Sequence, residues 1–481
     1  MINIKDVTFS YGKDEERELS NINIKIKKGE FVLLCGRSAC GKTTITKLIN
    51  GLIPHFIEGN FNGDVSIEND KLKNLDMYKI SEKVGSVFQN PKTQFFNLDS
   101  NSELTFGLEN IGMEREMINQ RVEKTVKDLR IETLMNRNVF KLSGGEKQIL
   151  AIASIYAVNP DIYVLDEPSA SIDEHGRNIL HDVLEKLKAQ GKTIIVAEHR
   201  IHYLIDLIDR AVYVEKGKIK MDYSKKEFLK MTEMKRKQLG LRTFYLHDTQ
   251  FQIQEIEKDV NAALVVNKLC CSYKKKKVIN EVSFSAEKGD IIAITGLNGA
   301  GKSTFMRCLC GLIKESNGEI CYEGHKLSYK KRREYCYMIM QDVAHQLFSD
   351  SVLEEFSLLN KNISEEEVDT VLMTFDLIDF KDKHPMDLSG GQKQRLAIAV
   401  ATMCQKKIII FDEPTSGLDY GNMCKVSEII KTLAKDHIIF VITHDEELLE
   451  MACNRKIVLN KGKIEKDIGL MNLKQSDRKI N

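Results

Sequence analysis

The chain has 481 residues, too many for one ordinary core and suited to two to four domains. With 42% hydrophobic and 29% charged residues it can fill sizeable cores under a hydrated surface, which excludes disordered and fibrous classes. Lys and Arg number 71 against 70 Asp and Glu, a net charge of +1, so no global basic field draws nucleic acid or an anionic membrane. The first residues run directly into a strand-like pattern without a leader, and no apolar run reaches the roughly 18 residues of a spanning helix, so a cytoplasmic chain is expected. Continuous apolar runs at 31–35, 162–165 and 194–197, and again at 291–294, 408–411 and 438–442, predict strands buried on both faces. Val122, Val126 and Leu129 have helical spacing, as does the stretch after Gly145. Strands alternating with helices predict a parallel α/β sheet in each half, with helical insertions near 95–141 and 345–387. Eleven cysteines without a Cys-x-x-Cys read as reduced thiols rather than a disulfide or zinc framework.

The chain repeats itself once. Phe9-Ser10-Tyr11, the glycine loop at 36–43, Gln89, Leu142-Ser143-Gly144-Gly145-Glu146, Asp166-Glu167 and His199 recur in order. Their counterparts are Cys271-Ser272-Tyr273, the loop at 296–303, Gln341, Leu388-Ser389-Gly390-Gly391-Gln392, Asp412-Glu413 and His444. Two homologous halves follow, at 1–222 and 263–481, with a charged, partly helical linker at 223–262. The lysine run at 274–277 suits a solvated hairpin turn better than RNA contact.

Gly36-Arg-Ser-Ala-Cys-Gly41-Lys42-Thr43 and Gly296-Leu-Asn-Gly-Ala-Gly301-Lys302-Ser303 both match the phosphate-loop pattern after a strand and before a helix. Glycines let backbone N–H groups turn around phosphates, Lys42 or Lys302 reaches the terminal phosphates, and Thr43 or Ser303, followed by Thr44 or Thr304, faces Mg²⁺ and phosphate. Asp166 and Asp412 end buried strands, where a carboxylate needs water or a cation, so both are expected Mg²⁺ ligands. Glu167 and Glu413 follow as candidate bases for a water attacking the γ-phosphate. Ser143 and Ser389 read as caps of anion-binding helix starts.

This order of motifs resembles that of ATP-binding cassette (ABC) ATPases, over nearly the whole chain twice. The resemblance implies two tandem P-loop NTPase domains binding ATP and Mg²⁺, paired head to tail within one chain. It groups Lys42, Thr43, Gln89, Asp166, Glu167 and His199 with Ser389, Gly390 and Gly391. It groups Lys302, Ser303, Gln341, Asp412, Glu413 and His444 with Ser143, Gly144 and Gly145. It further implies adenine stacking on Tyr11 and Tyr273, metal contact for Gln89 and Gln341, and γ-phosphate hydrogen bonds from His199 and His444. Glu146 stands where the family has Gln, Ile172 where Leu is usual, and Ile149 opposite Arg395, so the two sites need not turn over equally.

Finer stretches resemble the fused ATPase of energy-coupling factor (ECF) importers: Asn50-Gly-Leu-Ile-Pro-His55, Val87-Phe-Gln-Asn-Pro-Lys-Thr-Gln-Phe-Phe96, Phe106-Gly-Leu-Glu-Asn110 and Ala197-Glu-His-Arg200. Such ATPases sit on the cytoplasmic face of the membrane, under a transmembrane coupling protein and a small substrate-binding membrane protein, and energise vitamin or transition-metal uptake. No nucleic-acid partner is implied. The alternatives are a sugar-importer ATPase and a soluble twin-cassette translation factor acting on the ribosome. Phe95 and Phe96, with Leu347 and Phe348 in the second half, are expected to line a groove for a helix of the coupling protein. Cys40, next to Gly41 and Lys42, is expected to have a lowered thiol pKa.

Overall fold

The computed structural model describes residues 1–12, 18–246, 251–273, 276–359 and 363–472. Lys274 and Lys275 of the lysine run, and the side chain of Tyr273, lie outside the described set. Two compact units result, the first comprising Met1–Tyr245 and the second beginning at Leu246.

The first unit is organised on a six-stranded sheet in the order Lys218–Ser224, Arg210–Glu215, Phe31–Gly36, Thr193–Ala197, Ile162–Asp166, Val84–Val87. The last five run parallel and only the Lys218–Ser224 edge is antiparallel. Successive residues of a strand point to opposite faces, which explains why both faces are apolar. Phe31, Leu33 and Leu165 face the core beneath the helices Gly144–Val158 and Glu174–Ala189, whereas Val32, Leu34, Val164 and Ile195 face the helix Lys42–Ile49 and a second sheet. Ile195 is wholly buried, so Ile195→Ala would cost about 2–5 kcal/mol through lost burial and a cavity.

That second sheet was not expected. It is antiparallel, in the order Leu19–Ile26, Ile2–Tyr11, Gly59–Ile67, Asp70–Lys71. Leu19, Ile22, Ile24 and Ile26 are buried while Asn21, Asn23 and Lys25 are exposed, so these strands cover a core on one face and lack the continuous apolar run that marked the others. The expected insertion is present as the helices Ser100–Asn110 and Arg115–Leu129, the first capped by Asp99, which accepts from the N–H groups of Asn101 and Ser102.

The second unit repeats the plan. A seven-stranded sheet runs Phe251–Glu255, Lys463–Asn472, Arg455–Asn460, Ile291–Thr295, Ile438–Ile442, Ile408–Asp412, Cys336–Ile339. Its companion is the four-stranded antiparallel sheet Lys276–Ala286, Leu264–Tyr273, Asn317–Tyr322, His325–Lys326. The segment expected as a linker divides between the units. Phe228, fully buried, ties the helix Lys225–Leu229 to the first core, and Phe251–Glu255 pairs with the edge of the second sheet. Charge content masked this, because one buried aromatic per turn is enough to dock a short helix. Among the described residues no helix is long and apolar enough to cross a membrane.

Candidate functional site

Each phosphate loop joins the central strand of its sheet to a helix, Phe31–Gly36 to Lys42–Ile49 and Ile291–Thr295 to Lys302–Leu309. Gly36 has φ 150° and Gly296 φ 135°, and a Cβ there would lie 2.2 Å from Val214 O and 2.1 Å from Leu459 O. Gly41 and Gly301 also have positive φ, as the turn into the helix requires. The lysines fold back over the loops: Lys42 Nζ donates to Gly36 O (3.2 Å) and Arg37 O (3.0 Å), and Lys302 Nζ to Gly296 O (2.7 Å) and Leu297 O (3.1 Å). Gly296→Ala should therefore abolish ATP binding at the second loop, since the clash is with backbone. Titration calorimetry would record one site instead of two, and two retained sites would contradict the geometry.

The remaining polar residues of the first unit converge on Lys42. His199 Nε2 lies 3.2 Å from Lys42 Nζ and 3.5 Å from Glu167 Oε1, and Gln89 Nε2 donates to Glu167 Oε2 at 2.9 Å. Burial, then the positive charges of Lys42 and Arg242, hold His199 well below the usual histidine range, so the ring is neutral and its Nε2 accepts from the ammonium. Burial raises Asp166 to about 6 against a hydrogen bond from Thr43 and the charges of Lys42 and Lys47. Asp166 Oδ1 is buried without a hydrogen-bond partner. A hydroxyl beside an unsatisfied carboxylate oxygen is the hard oxygen donor set that Mg²⁺ takes, so these residues fit the ion. In the second unit burial likewise raises Asp412, opposed by Ser303, Arg307 and Lys302.

Glu167 and Glu413 follow their strands with φ of 46° and 52°, a left-handed backbone that costs a non-glycine residue of order 1–3 kcal/mol and turns the chain sharply out of the sheet. Burial pushes Glu167 up to about 8; Lys42 lowers it, Asp166 and Glu198 raise it, and Gln89 lowers it. With an ordinary value of 4.5 when unfolded, Glu167 keeps a proton in the folded nucleotide-free chain across the interval from 4.5 to about 8. Its contribution to stability is full below pH 4.5 and is lost as pH rises through about 8. Glu167→Gln should raise Tm at pH 8 and flatten that slope in scanning calorimetry; an unchanged Tm at pH 8 would contradict the burial argument.

In the second unit His444 Nε2 lies 3.8 Å from Glu413 Oε1 and its backbone N–H donates to Glu413 Oε2 (3.4 Å), while Gln341 is exposed. The clusters therefore differ in detail. Ser143 and Ser389 each begin a helix and close a capping box, with Glu146 and Gln392 respectively. Glu146 also pairs with Arg137, which helps hold its carboxyl below the usual range and compensates for the charge a Gln lacks. Gly144 and Gly145 form the first turn, as do Gly390 and Gly391, beside which a Cβ would meet nothing. Tyr11 is 40% exposed, its ring edge-on to Phe9 and under Lys47, its hydroxyl 3.2 Å from Thr44 Oγ1. Thr44 donates onward to Glu18, and Thr304 sits half-buried in the equivalent helix.

Two expectations change. Burial raises the Cys40 thiol more than Lys42 lowers it, and Cys35 is raised further still, so neither is an activated thiolate. The paired apolar residues also separate: Leu347 is buried in the second core and Phe95 packs against the first, but Phe96 and Phe348 are 75% and 76% exposed. Phe96 stacks on Phe106 at 5.0 Å beside an open cavity of 380 Å³. Glu198 had no sequence signal beyond its place in the Ala-Glu-His-Arg stretch, yet it is a buried acid beside Glu167 and His199.

The ABC transporter family model matches residues 19–170 and 279–416, once in each unit. Two proteins of Treponema denticola that bear the name ABC transporter ATP-binding protein are similar along nearly their whole length. One is 48% identical over 97% of both chains, the other 37% identical over 98% of this chain and 97% of its own. A protein of Methanosarcina mazei with the same name is 32% identical over 96% of this chain and 88% of its own. Among solved structures, one of archaeal Pelota and ABCE1 bound to the ribosome has a TM-score of 0.69 at 24% identity, covering 96% of this chain and 78% of that one, a likeness of fold. With two phosphate loops in equivalent sheets and a family match in each half, the chain belongs to the ABC transporter ATP-binding family as an ATPase with two cassettes in one polypeptide.

Proposed function

We propose that this ATPase is the energising subunit of an ECF-type importer, peripheral to the cytoplasmic face of the membrane, driving uptake of a vitamin or a transition-metal ion through separate membrane subunits. One observation carries the reading. Three of the four stretches that resemble ECF ATPases meet around the 380 Å³ cavity of the first unit: Asn50 and Leu52 from the first, Phe88 and Phe96 from the second, Phe106 and Asn110 from the third. Nothing in phosphate chemistry requires these residues to be together, whereas an apolar pocket with an exposed phenylalanine at its edge suits a short helix of a transmembrane coupling protein.

Within each cassette the lysine of the loop and the histidine, His199 or His444, hold the γ-phosphate. By the head-to-tail grouping that the resemblance implies, the Ser389-Gly390-Gly391 turn offers backbone N–H groups to the phosphate on Lys42, and the Ser143-Gly144-Gly145 turn to that on Lys302. Thr43 with Asp166, and Ser303 with Asp412, would hold Mg²⁺, with Gln89 and Gln341 at its edge. When bound, the ion would supply positive charge against the negative charge of the phosphates. Glu167 and Glu413, as carboxylates, orient the attacking water and take its proton, becoming neutral as the water oxygen bonds to the γ-phosphorus and the bond to the ADP oxygen breaks. Tyr11 and Tyr273 provide ring faces for adenine.

Sedimentation of the native protein tests the proposal. It should pellet with membranes and be released by detergent; co-sedimentation with ribosomes through a detergent wash would favour the translation-factor reading instead.

A further inference from the structure

We propose that Glu198 is a positioning residue that ties the turn after Glu167 to the switch histidine His199, and that the second unit makes the same tie with a carboxylate on the other side of its histidine. Glu198 is 3% exposed and accepts hydrogen bonds at both oxygens. Oε1 receives the backbone N–H of His199 (2.8 Å) and of Arg200 (3.2 Å), and Oε2 receives the N–H of Ser169 (3.2 Å) and the hydroxyl of Tyr203 (3.0 Å). One carboxylate thus spans two chain segments, fixing both the end of the strand Thr193–Ala197 and the turn that follows Glu167.

The second unit lacks this acid. Thr443 occupies the place of Glu198, and Asp445 follows His444 where Arg200 follows His199. Asp445 Oδ2 accepts from Thr415 Oγ1 (2.6 Å), and Thr415 is the counterpart of Ser169; Asp445 N–H donates to Thr443 Oγ1 (2.9 Å). Both units therefore join the same two segments through a buried carboxylate, from opposite sides of the histidine. A buried acid with every lone pair directed at a backbone or hydroxyl donor has little freedom, so the imidazole carried on the next residue inherits its position. Neither Glu198 nor Asp445 touches the reacting atoms; each acts through its histidine. The inference rests on the assignment of His199 to the γ-phosphate.

Steady-state ATP turnover by the full chain, with thermal unfolding of each variant, tests it. Glu198→Gln keeps the volume but turns one acceptor into a donor facing N–H groups. Its kcat should fall roughly tenfold to a hundredfold, as expected for a small misplacement, with KM for ATP unchanged. Glu198→Thr alone should be as slow. Glu198→Thr combined with Arg200→Asp and Ser169→Thr copies the second unit and should restore most of kcat. Wild-type kcat in Glu198→Gln would overturn the proposal. So would a parallel loss of kcat, KM and Tm that the triple variant does not repair, which marks a merely structural acid. His199→Ala serves as the control: if it leaves kcat intact, the histidine assignment fails and the proposal with it, whereas a slow His199→Ala beside a fast Glu198→Gln refutes the positioning role alone.

Discussion

Glu167→Gln and Glu413→Gln should each reduce ATP turnover by roughly 10²–10⁴-fold, the contribution of a positioned general base, while ATP binding persists. The isosteric amide keeps the side-chain volume at a buried position, so loss of fold does not confound the result. In the first unit the carboxylate is 2.9 Å from Gln89 Nε2 and 3.5 Å from His199 Nε2, a setting in which an amide retains contact but cannot take a proton. Binding should survive because it depends on the loop backbone and Lys42, which donates to Gly36 O and Arg37 O rather than to Glu167. Filter binding with labelled ATP and phosphate release on the same preparations would measure both. Normal turnover in either variant would show that its cassette does not contribute chemistry. The units need not respond equally, since Gln341 is exposed whereas Gln89 is engaged.

The second large effect concerns coupling. On the proposed importer reading, Phe96→Glu should abolish uptake by the complex with its membrane subunits while the isolated chain still folds, binds ATP and hydrolyses it. Phe96 is 75% exposed, so its replacement removes little core and should change stability by no more than about 0.5 kcal/mol. A carboxylate beside Phe106, at the edge of an apolar cavity, opposes the docking of an apolar helix through desolvation. Phe95 is the poorer choice, because it packs against the core and its loss would mix folding with docking. Phe348→Glu is the matching change in the second unit, where the exposed side chain follows buried Leu347. Binding of each variant to detergent-solubilised membrane subunits, followed by uptake, separates the steps. Unimpaired uptake in both variants would remove these phenylalanines from the coupling surface.

Much of this was legible in the residues. The buried parallel strands announced themselves as unbroken apolar runs, and the structure places them at Phe31–Gly36, Ile162–Asp166 and Thr193–Ala197 and at their counterparts. The phosphate loops and the acidic pairs were equally plain, because glycine and carboxylate at strand ends have few structural reasons to be there. The antiparallel sheet was not, since Asn21, Asn23 and Lys25 break its apolar pattern on the solvated face. Nor was the docking of residues 223–245, which rests on single buried anchors such as Phe228 within a charged stretch. Cys40 shows a different limit: proximity to Lys42 is visible in sequence, but the burial that raises its thiol is a property of the folded loop. Glu198 shows the same limit, as its partners at Ser169 and Tyr203 meet it only through the fold.

The most direct measurement is ATP-driven uptake by the native complex. The chain would be purified from detergent-solubilised membranes with whatever integral proteins accompany it, and reconstituted in vesicles with the ATPase facing the ATP. The expected result is a complex with two kinds of integral subunit, one coupling and one substrate-binding. It should accumulate a vitamin or a transition-metal ion on the ATPase side only with ATP, and not at all when both Glu167 and Glu413 are changed to Gln. Purification with ribosomal subunits and no integral protein, or with membrane subunits that move only sugars, would contradict it.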